Sequence, residues 1–151
     1  MQVRRDTPTN PAVAPLLSAH VAEQRAMTPA GFSFALDAAA LTGPAITFLT
    51  AWEGETLAGM GALKRLDHAA GEVKSMRSTP AARGRGAGHA ILSAIIADAR
   101  AAGLSRLYLE TGTSSAYDAA IKLYARAGFV PCPAFADYRP SPHNRFFVLV
   151  L

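Results

Sequence analysis

The chain has 151 residues and a formal net charge of +4, with 50% of its residues hydrophobic and 17% charged. At about 150 residues per domain, this length predicts a single domain over residues 1–151 that buries roughly 70% of its unfolded surface. The composition excludes a disordered or acidic solvating chain, because such chains contain too little apolar surface to offset the entropy lost on folding. We therefore expect a packed globular core.

Neither a membrane contact nor a metal site is expected. No stretch approaches the ~20 apolar residues that cross a bilayer, and the segment MQVRRDTPTNP lacks the apolar block of a signal peptide. The single cysteine, Cys132, has no internal partner, and the four histidines show no metal-ligand spacing. The sequence thus predicts a cytoplasmic protein without a metal cofactor.

The positive charge is concentrated in one part of the chain. Residues 64–85 carry six basic and two acidic side chains, whereas residues 1–63 have a net charge of −2 and residues 86–151 a net charge of +2. A short window that holds as much positive charge as the whole chain favours a polyanionic partner there. A phosphorylated cofactor and a nucleic acid both satisfy this requirement.

The first half of the chain predicts strands and short helices. In chain order we expect a strand at Met1–Arg5, a helix from Asn10-Pro11 to about Met27, a short helix at Ser33–Ala40, and a hairpin formed by Ile46–Trp52 and Thr56–Leu66. The dipeptide Gly43-Pro44 ends the short helix, and Glu53-Gly54 supplies the hairpin turn.

The second half predicts alternating strands and helices. We expect strands at Gly71–Ser78, Leu107–Glu110, Phe129–Cys132 and Arg145–Leu151, and helices at about Gly86–Ala102 and from the capping pattern Ser115-x-x-Asp118 to Gly128. A strand-rich first half followed by strand–helix alternation indicates an α/β or α+β fold with a mixed sheet covered by helices.

The segment RGRGAG, residues 83–88, lies between a predicted strand and a predicted helix. Its glycines allow a close backbone approach, and the free N–H groups and positive dipole end of the new helix attract an anion. The pattern is neither a P-loop, which needs GK[ST], nor the Rossmann GxGxxG. An arginine-rich turn that only reverses the chain, or an RNA-binding tract, is the alternative interpretation.

Two motifs resemble one enzyme family. RGRGAG is similar to the [QR]xxGx[GA] pyrophosphate turn of the GCN5-related N-acetyltransferases, and LYARAGF, residues 123–129, resembles the LYxxxGF helix end of the same family. The segments LYLETG and PCPAFADY and the apolar last strand are also similar to small bacterial members. The resemblance covers about Ile46–Leu151 well and the first 45 residues only in outline.

The resemblance implies a fold and a cofactor. The fold is a mostly antiparallel sheet of six to seven strands flanked by helices, in which two parallel strands splay apart to admit acetyl-CoA. By position these strands are Gly71–Ser78 and Leu107–Gly112, and the cofactor pairs with the first of them. The implied cofactor-binding residues are Met76, Arg77, Ser78, Arg83, Gly84, Arg85, Gly86, Ala87 and Gly88. Ser114 and Ser115 stand where family members often carry an asparagine that holds the pantetheine.

Acyl transfer to an amine needs a group that takes the ammonium proton and a group that protonates the leaving thiolate. Tyr124 is the family's usual general acid, and its alternative role is that of a core tyrosine. Glu72 matches a position where some members carry a catalytic glutamate, and its alternative role is a surface ion pair with Lys74. Glu110 competes with Glu72 for the role of base or water-ordering group.

We expect an acetyl-CoA-dependent N-acetyltransferase that acts directly on the primary amine of a small molecule or amino-acid-like substrate. A protein or peptide acceptor and a non-catalytic acyl-CoA-binding module are the alternatives. A nucleic-acid partner is disfavoured, because phosphate-backbone binding needs a longer basic stripe. The strand RFFVLVL is apolar on both faces, so a homodimer is also expected.

Overall fold

A seven-stranded sheet forms the centre of the computed structural model, which describes residues 1–151. Its spatial order is β1-β2-β3-β4-β5-β7-β6, and every neighbouring pair is antiparallel except β4 and β5. The strands are β1 Gln2–Arg5, β2 Ile46–Glu53, β3 Thr56–Arg65, β4 Ala70–Ser78, β5 Arg106–Gly112, β6 Val130–Pro131 and β7 Asn144–Val150. This topology confirms the predicted mixed, mostly antiparallel sheet with one parallel pair.

Three helices cover the two faces of the sheet. They are α1 Ala14–Met27, α2 Ala87–Ala101 and α3 Asp118–Ala127. On one face α2 and α3 pack over the larger apolar core, and on the other α1 covers a smaller one that includes Phe48, Met60 and Ala62. The helix predicted at about Gly86–Ala102 is confirmed as α2, and its Ile91 and Ile95 are fully buried. None of the helices combines the length and the hydropathy that a membrane span requires.

The helix predicted at Ser33–Ala40 is absent. Residues 32–37 are extended loop, and only a 3-10 turn at Ala40–Thr42 follows. The carbonyl of Phe34 accepts a hydrogen bond from Lys74 of β4 at 3.2 Å instead of closing a helical turn. The hydrogen bond from Lys74 thus replaces a hydrogen bond within a helix, and the segment remains a loop.

Two other helix starts differ from the prediction. Asn10 forms a turn in which its backbone and side-chain oxygens accept N–H groups, so α1 begins only at Ala14. The expected capping box at Ser115-x-x-Asp118 is a 3-10 turn over Ser115–Tyr117, without a side-chain cap, and α3 begins at Asp118. The predicted end of α3 is confirmed, because Gly128 caps it with φ +103°.

Strands β4 and β5 part soon after they begin. Their ladder contains only three residue pairs, in which residues 70–72 of β4 lie opposite residues 106–108 of β5. Beyond it, the edge of β4 that faces β5 has no strand partner, although the other edge still pairs with β3 as far as Ser78. A register shift opposite Gly61 and a φ of +57° at Ser75 mark a bulge within this free segment. The structure thus contains the splayed parallel pair that the resemblance implies.

Gly59 allows β3 and β4 to approach each other closely. A Cβ at this position would lie 2.9 Å from the backbone oxygen of Arg77, and backbone moves less readily than a side-chain end. We expect Gly59→Ala to lower the free energy of unfolding by about 1–3 kcal/mol, as overpacking does in cores.

Gly43→Ala is the matched control, since a Cβ there meets nothing within 4 Å, and it should stay within about 0.5 kcal/mol of the parent chain. Urea denaturation measures both variants. Equal stability of the two would contradict the tight β3–β4 contact.

Candidate active site

The glycine turn provides an open cradle between β4 and α2. Gly86 precedes α2 with φ +93° and Gly84 has φ +76°, and a Cβ at either would meet nothing within 4 Å. The first N–H groups of α2, which have no acceptor within the helix, directly follow this open turn, as an anion site requires. Arg83 is exposed beside the cradle, whereas Arg85 forms an ion pair with Glu53 at 2.9 Å.

A cavity of about 80 Å³ lies where β4 and β5 separate. Residues from both faces of the sheet line it, including His20 of α1, Lys74, Ser75 and Met76 of β4, Glu110 of β5 and Tyr124 of α3. His20 Nδ1 and Ser75 Oγ are buried there without a hydrogen-bond partner. Unpartnered buried polar atoms, together with the free edge of β4, fit a polar ligand that enters between the strands.

The predicted cofactor residues of β4 lie beside this cavity. Met76 lines it directly, and Arg77 and Ser78 continue along the free edge of the strand. The guanidinium of Arg77 is bound to Glu23 of α1 at 2.5 Å, and its Nε has no partner. Its charge is therefore already matched within the protein, and its backbone oxygen points towards β3, where a Cβ on Gly59 would lie 2.9 Å from it.

Tyr124 reaches the cavity from the helix that the LYxxxGF motif forms. Its ring packs edge-on against Phe129 at 5.8 Å between centroids, and only 6% of the residue is exposed. Burial raises the pKa of Tyr124 above its ordinary value, which keeps its hydroxyl protonated. The hydroxyl is thus a proton donor beside the cavity.

A groove of about 1030 Å³ lies next to the cavity and contains Glu72. Loop residues 33–36 and 135–138 border it, and Phe34, Ala35 and Lys74 line both spaces. Glu72 is 2% exposed; its Oε2 accepts a hydrogen bond from the Tyr138 hydroxyl at 2.6 Å and lies 3.4 Å from Lys74 Nζ. The ion pair with Lys74 exists, but it is buried rather than on the surface.

Glu110 lies on the same face of the sheet as Glu72 and borders the smaller cavity. Its Oε2 accepts a hydrogen bond from Asn144, whose side chain also contacts Ser141. Burial raises the pKa of the Glu110 carboxyl, with Glu72 adding to the effect, while Asn144 and the charge of Lys74 oppose it. A raised pKa brings a carboxylate closer to the range in which a general base operates.

Three contributors to this site were not singled out from the sequence. They are His20, Tyr138 and Asn144, each of which comes from a segment far from Glu72 along the chain. No local motif distinguishes these positions in the sequence. No group of three His, Cys, Asp or Glu side chains is arranged to hold a metal ion.

The buried imidazole of His20 makes the stability of the chain depend on pH. Burial, aided by the charge of Arg77, lowers the pKa of His20 to about 4 from 6.5. Because the folded protein holds the neutral form, stability should fall as the pH drops from about 6.5 towards 4, by about 3 kcal/mol in total.

His20→Gln should flatten this dependence in urea denaturation measured at several pH values. His89→Gln is the control, since His89 is exposed on α2 and should leave the slope unchanged. Parallel curves for both variants would show that His20 does not titrate as its burial requires.

Comparison with known proteins agrees with this geometry. The chain is 45% identical over 149 residues to YedL of Escherichia coli, which is named as an uncharacterized N-acetyltransferase. The matched residues make up 99% of this chain and 94% of YedL. The structure is similar to one described as an acyl-CoA N-acyltransferase of Klebsiella pneumoniae, with a TM-score of 0.80 and 29% identity over 99% of this chain and 97% of the other.

The acetyltransferase yncA of Salmonella typhimurium, solved with its cofactor acetyl-CoA, has the same fold at a TM-score of 0.72 and 18% identity, over 99% of this chain and 92% of that one. The profile of the Acetyltransferase (GNAT) family matches residues 14–129, a span that includes the glycine turn, the splayed strands and α3. The chain therefore belongs to the GNAT family of acetyl-CoA-dependent N-acetyltransferases.

Proposed function

We propose that this N-acetyltransferase acts on the primary amine of a small molecule or of an amino-acid-like compound. The observation that carries the proposal is the groove beside Glu72, which shares Phe34, Ala35 and Lys74 with the cavity between the strands. Its volume of about 1030 Å³ is in the upper range of small-molecule sites. The loops at 33–36 and 135–138 border it, which suits a compact acceptor better than an extended peptide.

In this proposal, the acetyl-CoA pantetheine lies along the free edge of β4 and its pyrophosphate on the glycine turn. Met76 and Ser78 lie on the edge of β4 that no strand pairs with, and Arg77 between them directs its backbone oxygen towards β3. The N–H groups that follow Gly86 at the start of α2 stabilise the pyrophosphate charge, with Arg83 beside them. Acetyl-CoA supplies an activated acyl carbon, and the residues of the chain position it.

Gly86→Asp tests the turn. The substitution places a carboxylate in the cradle, so we expect loss of measurable CoA binding in calorimetry through repulsion of the pyrophosphate and through bulk. Gly54→Asp is the matched control, because Gly54 also has a positive φ, +59°, with open space around it, but lies in the β2–β3 turn. Unchanged CoA affinity in a folded Gly86→Asp protein would refute the proposed pyrophosphate site.

The two proposed proton transfers use a carboxylate in the groove and a phenol hydroxyl at the cavity between the strands. Glu72 takes the proton of the acceptor ammonium in the groove, and Tyr124 donates a proton to the leaving thiolate from the cavity. The protonated hydroxyl of Tyr124 supports its role as acid. Glu110, which borders the cavity and has a raised pKa, is the alternative base, acting directly or through a water molecule.

Substitution separates these roles. Glu72→Gln should lower the rate by about 10²–10⁴ and remove the acidic limb of the kcat/KM profile, with CoA affinity nearly unchanged. Tyr124→Phe should lower kcat more than it changes KM, since a proton given to the leaving thiolate acts in the transition state.

Glu110→Gln is the comparison variant. If it removes the acidic limb while Glu72→Gln retains it, the base is Glu110. Full activity in Tyr124→Phe together with an unaltered pH profile in Glu72→Gln would overturn both assignments.

A thiol-release assay with acetyl-CoA and a panel of amines, amino acids and peptides distinguishes the proposed acceptor from a peptide acceptor and from a non-catalytic acyl-CoA-binding module. Cytoplasmic placement remains a prediction. The homodimer also remains a prediction. The apolar faces of β7 do not by themselves require a partner chain, because β7 lies between β5 and the two-residue β6 of the same chain.

A further inference from the structure

The ammonium group of Lys74 is held by acceptors from three parts of the chain. Nζ donates to the carbonyl of Phe34 at 3.2 Å and to the Tyr138 hydroxyl at 2.9 Å, and it lies 3.4 Å from Glu72 Oε2. A carboxylate, a carbonyl and a hydroxyl together form a binding site for an alkylammonium group, and the chain's own lysine fills it.

This ammonium group lies between the two spaces of the active site. Lys74 lines both the groove and the cavity between the strands, and it directly precedes the bulge at Ser75. Its side chain is 9% exposed, and that of Glu72 is 3% exposed. An acceptor amine that passes from the groove towards the cavity has to reach the position that Lys74 Nζ occupies.

The two other lysines of the chain are placed differently. Lys64 lines only the groove, on β3, and Lys122 is exposed on α3. Neither forms an ion pair. Lys74 is therefore the lysine that adjoins both the candidate base and the cavity proposed for the acetyl group.

We propose that Lys74 is an acceptor of the enzyme's own acetyl transfer, so that the protein acetylates itself at this residue when no free amine fills the groove. The inference rests on the proposed function, because it uses the same cavity and the same base. It adds a modification site within the chain to the activity on free amines.

The chemistry follows from the pair of Lys74 and Glu72. Glu72 Oε2 lies 3.4 Å from Lys74 Nζ, so this carboxylate is placed to take the proton of the ammonium group. The neutral Nζ then attacks the thioester carbonyl carbon; a C–N bond forms and the C–S bond breaks. The thiolate leaves with a proton from Tyr124 or solvent, and the products are acetyl-lysine, CoA thiol and one released proton.

Acetylation removes the charge that Glu72 and Phe34 bind in this position. The amide product does not react onward as a thioester does, so the reaction stops at one acetyl group per chain. The neutral acetyl-lysine also extends into the space between groove and cavity. Self-acetylation should therefore lower the rate on free amines.

Mass spectrometry tests the proposal directly. The purified full chain is incubated with acetyl-CoA carrying a deuterated acetyl group, without any amine, and digested for site mapping. We expect an added mass of about 45 Da on the peptide that contains Lys74, rising to one label per chain, with little on Lys122 or the N-terminal amine. This mapping uses the unaltered chain, so it does not depend on any variant folding.

Variants identify the cause of the label. Lys74→Arg should abolish it and Gly86→Asp should reduce it at least tenfold, whereas Lys122→Arg should leave it unchanged. Label that is as strong on Lys122 and the N-terminal amine as on Lys74, or that persists at Lys74 in heat-unfolded protein, would show non-specific acetylation and overturn the proposal.

The labelling experiment and the thiol-release assay distinguish failure of the self-acetylation proposal from failure of the proposed small-amine acceptor. Acetylation of free amines by a protein whose Lys74 stays unlabelled would overturn self-acetylation and leave the small-amine acceptor in place. Label at Lys74 without turnover on any free amine would support self-acetylation and refute the small-amine acceptor.

Discussion

Strands β4 and β5 run in the same direction and stop exchanging hydrogen bonds after Glu72 and Tyr108. Backbone N–H and C=O groups without partners destabilise a buried strand, so an opening in the middle of a sheet persists only when other contacts hold it. Here α1 closes one side through the Arg77–Glu23 ion pair, and Tyr124 of α3 fills the other. The cavity, the free edge of β4 and the position of the candidate acid all follow from this separation.

A second constraint is the cost of burying charge beside that opening. Lys74 and Glu72 are almost fully removed from solvent, and a buried ion pair is often no more stable than apolar residues of the same size. The pair is retained with a tyrosine and a backbone carbonyl that satisfy its remaining hydrogen bonds. Both charged groups therefore stay hydrogen-bonded to the Tyr138 hydroxyl beside the opening.

The sequence predicted most of the fold because its signals were local. The glycine turn, the helix at about Gly86–Ala102 and the helix end at Gly128 each depend on neighbouring residues, and all of them occur in the structure. The loop at 33–40 was predicted as a helix, because nothing in its own residues shows that Phe34 binds Lys74. Tyr138 and Asn144 were missed as site residues for the same reason, since their partners, Glu72 and Glu110, are distant along the chain.

The loop from Pro133 to Asn144 both borders the groove and hydrogen-bonds the two carboxylates. Phe135 and Tyr138 shape the space for an acceptor, while the Tyr138 hydroxyl and the Asn144 amide bind Glu72 and Glu110. A chain that changes this loop to accommodate a new amine therefore also changes the hydrogen bonds that its two carboxylates accept. Substrate range and pH optimum should diverge together among relatives whose loops differ, and transplanting the loop between two enzymes should carry both properties with it.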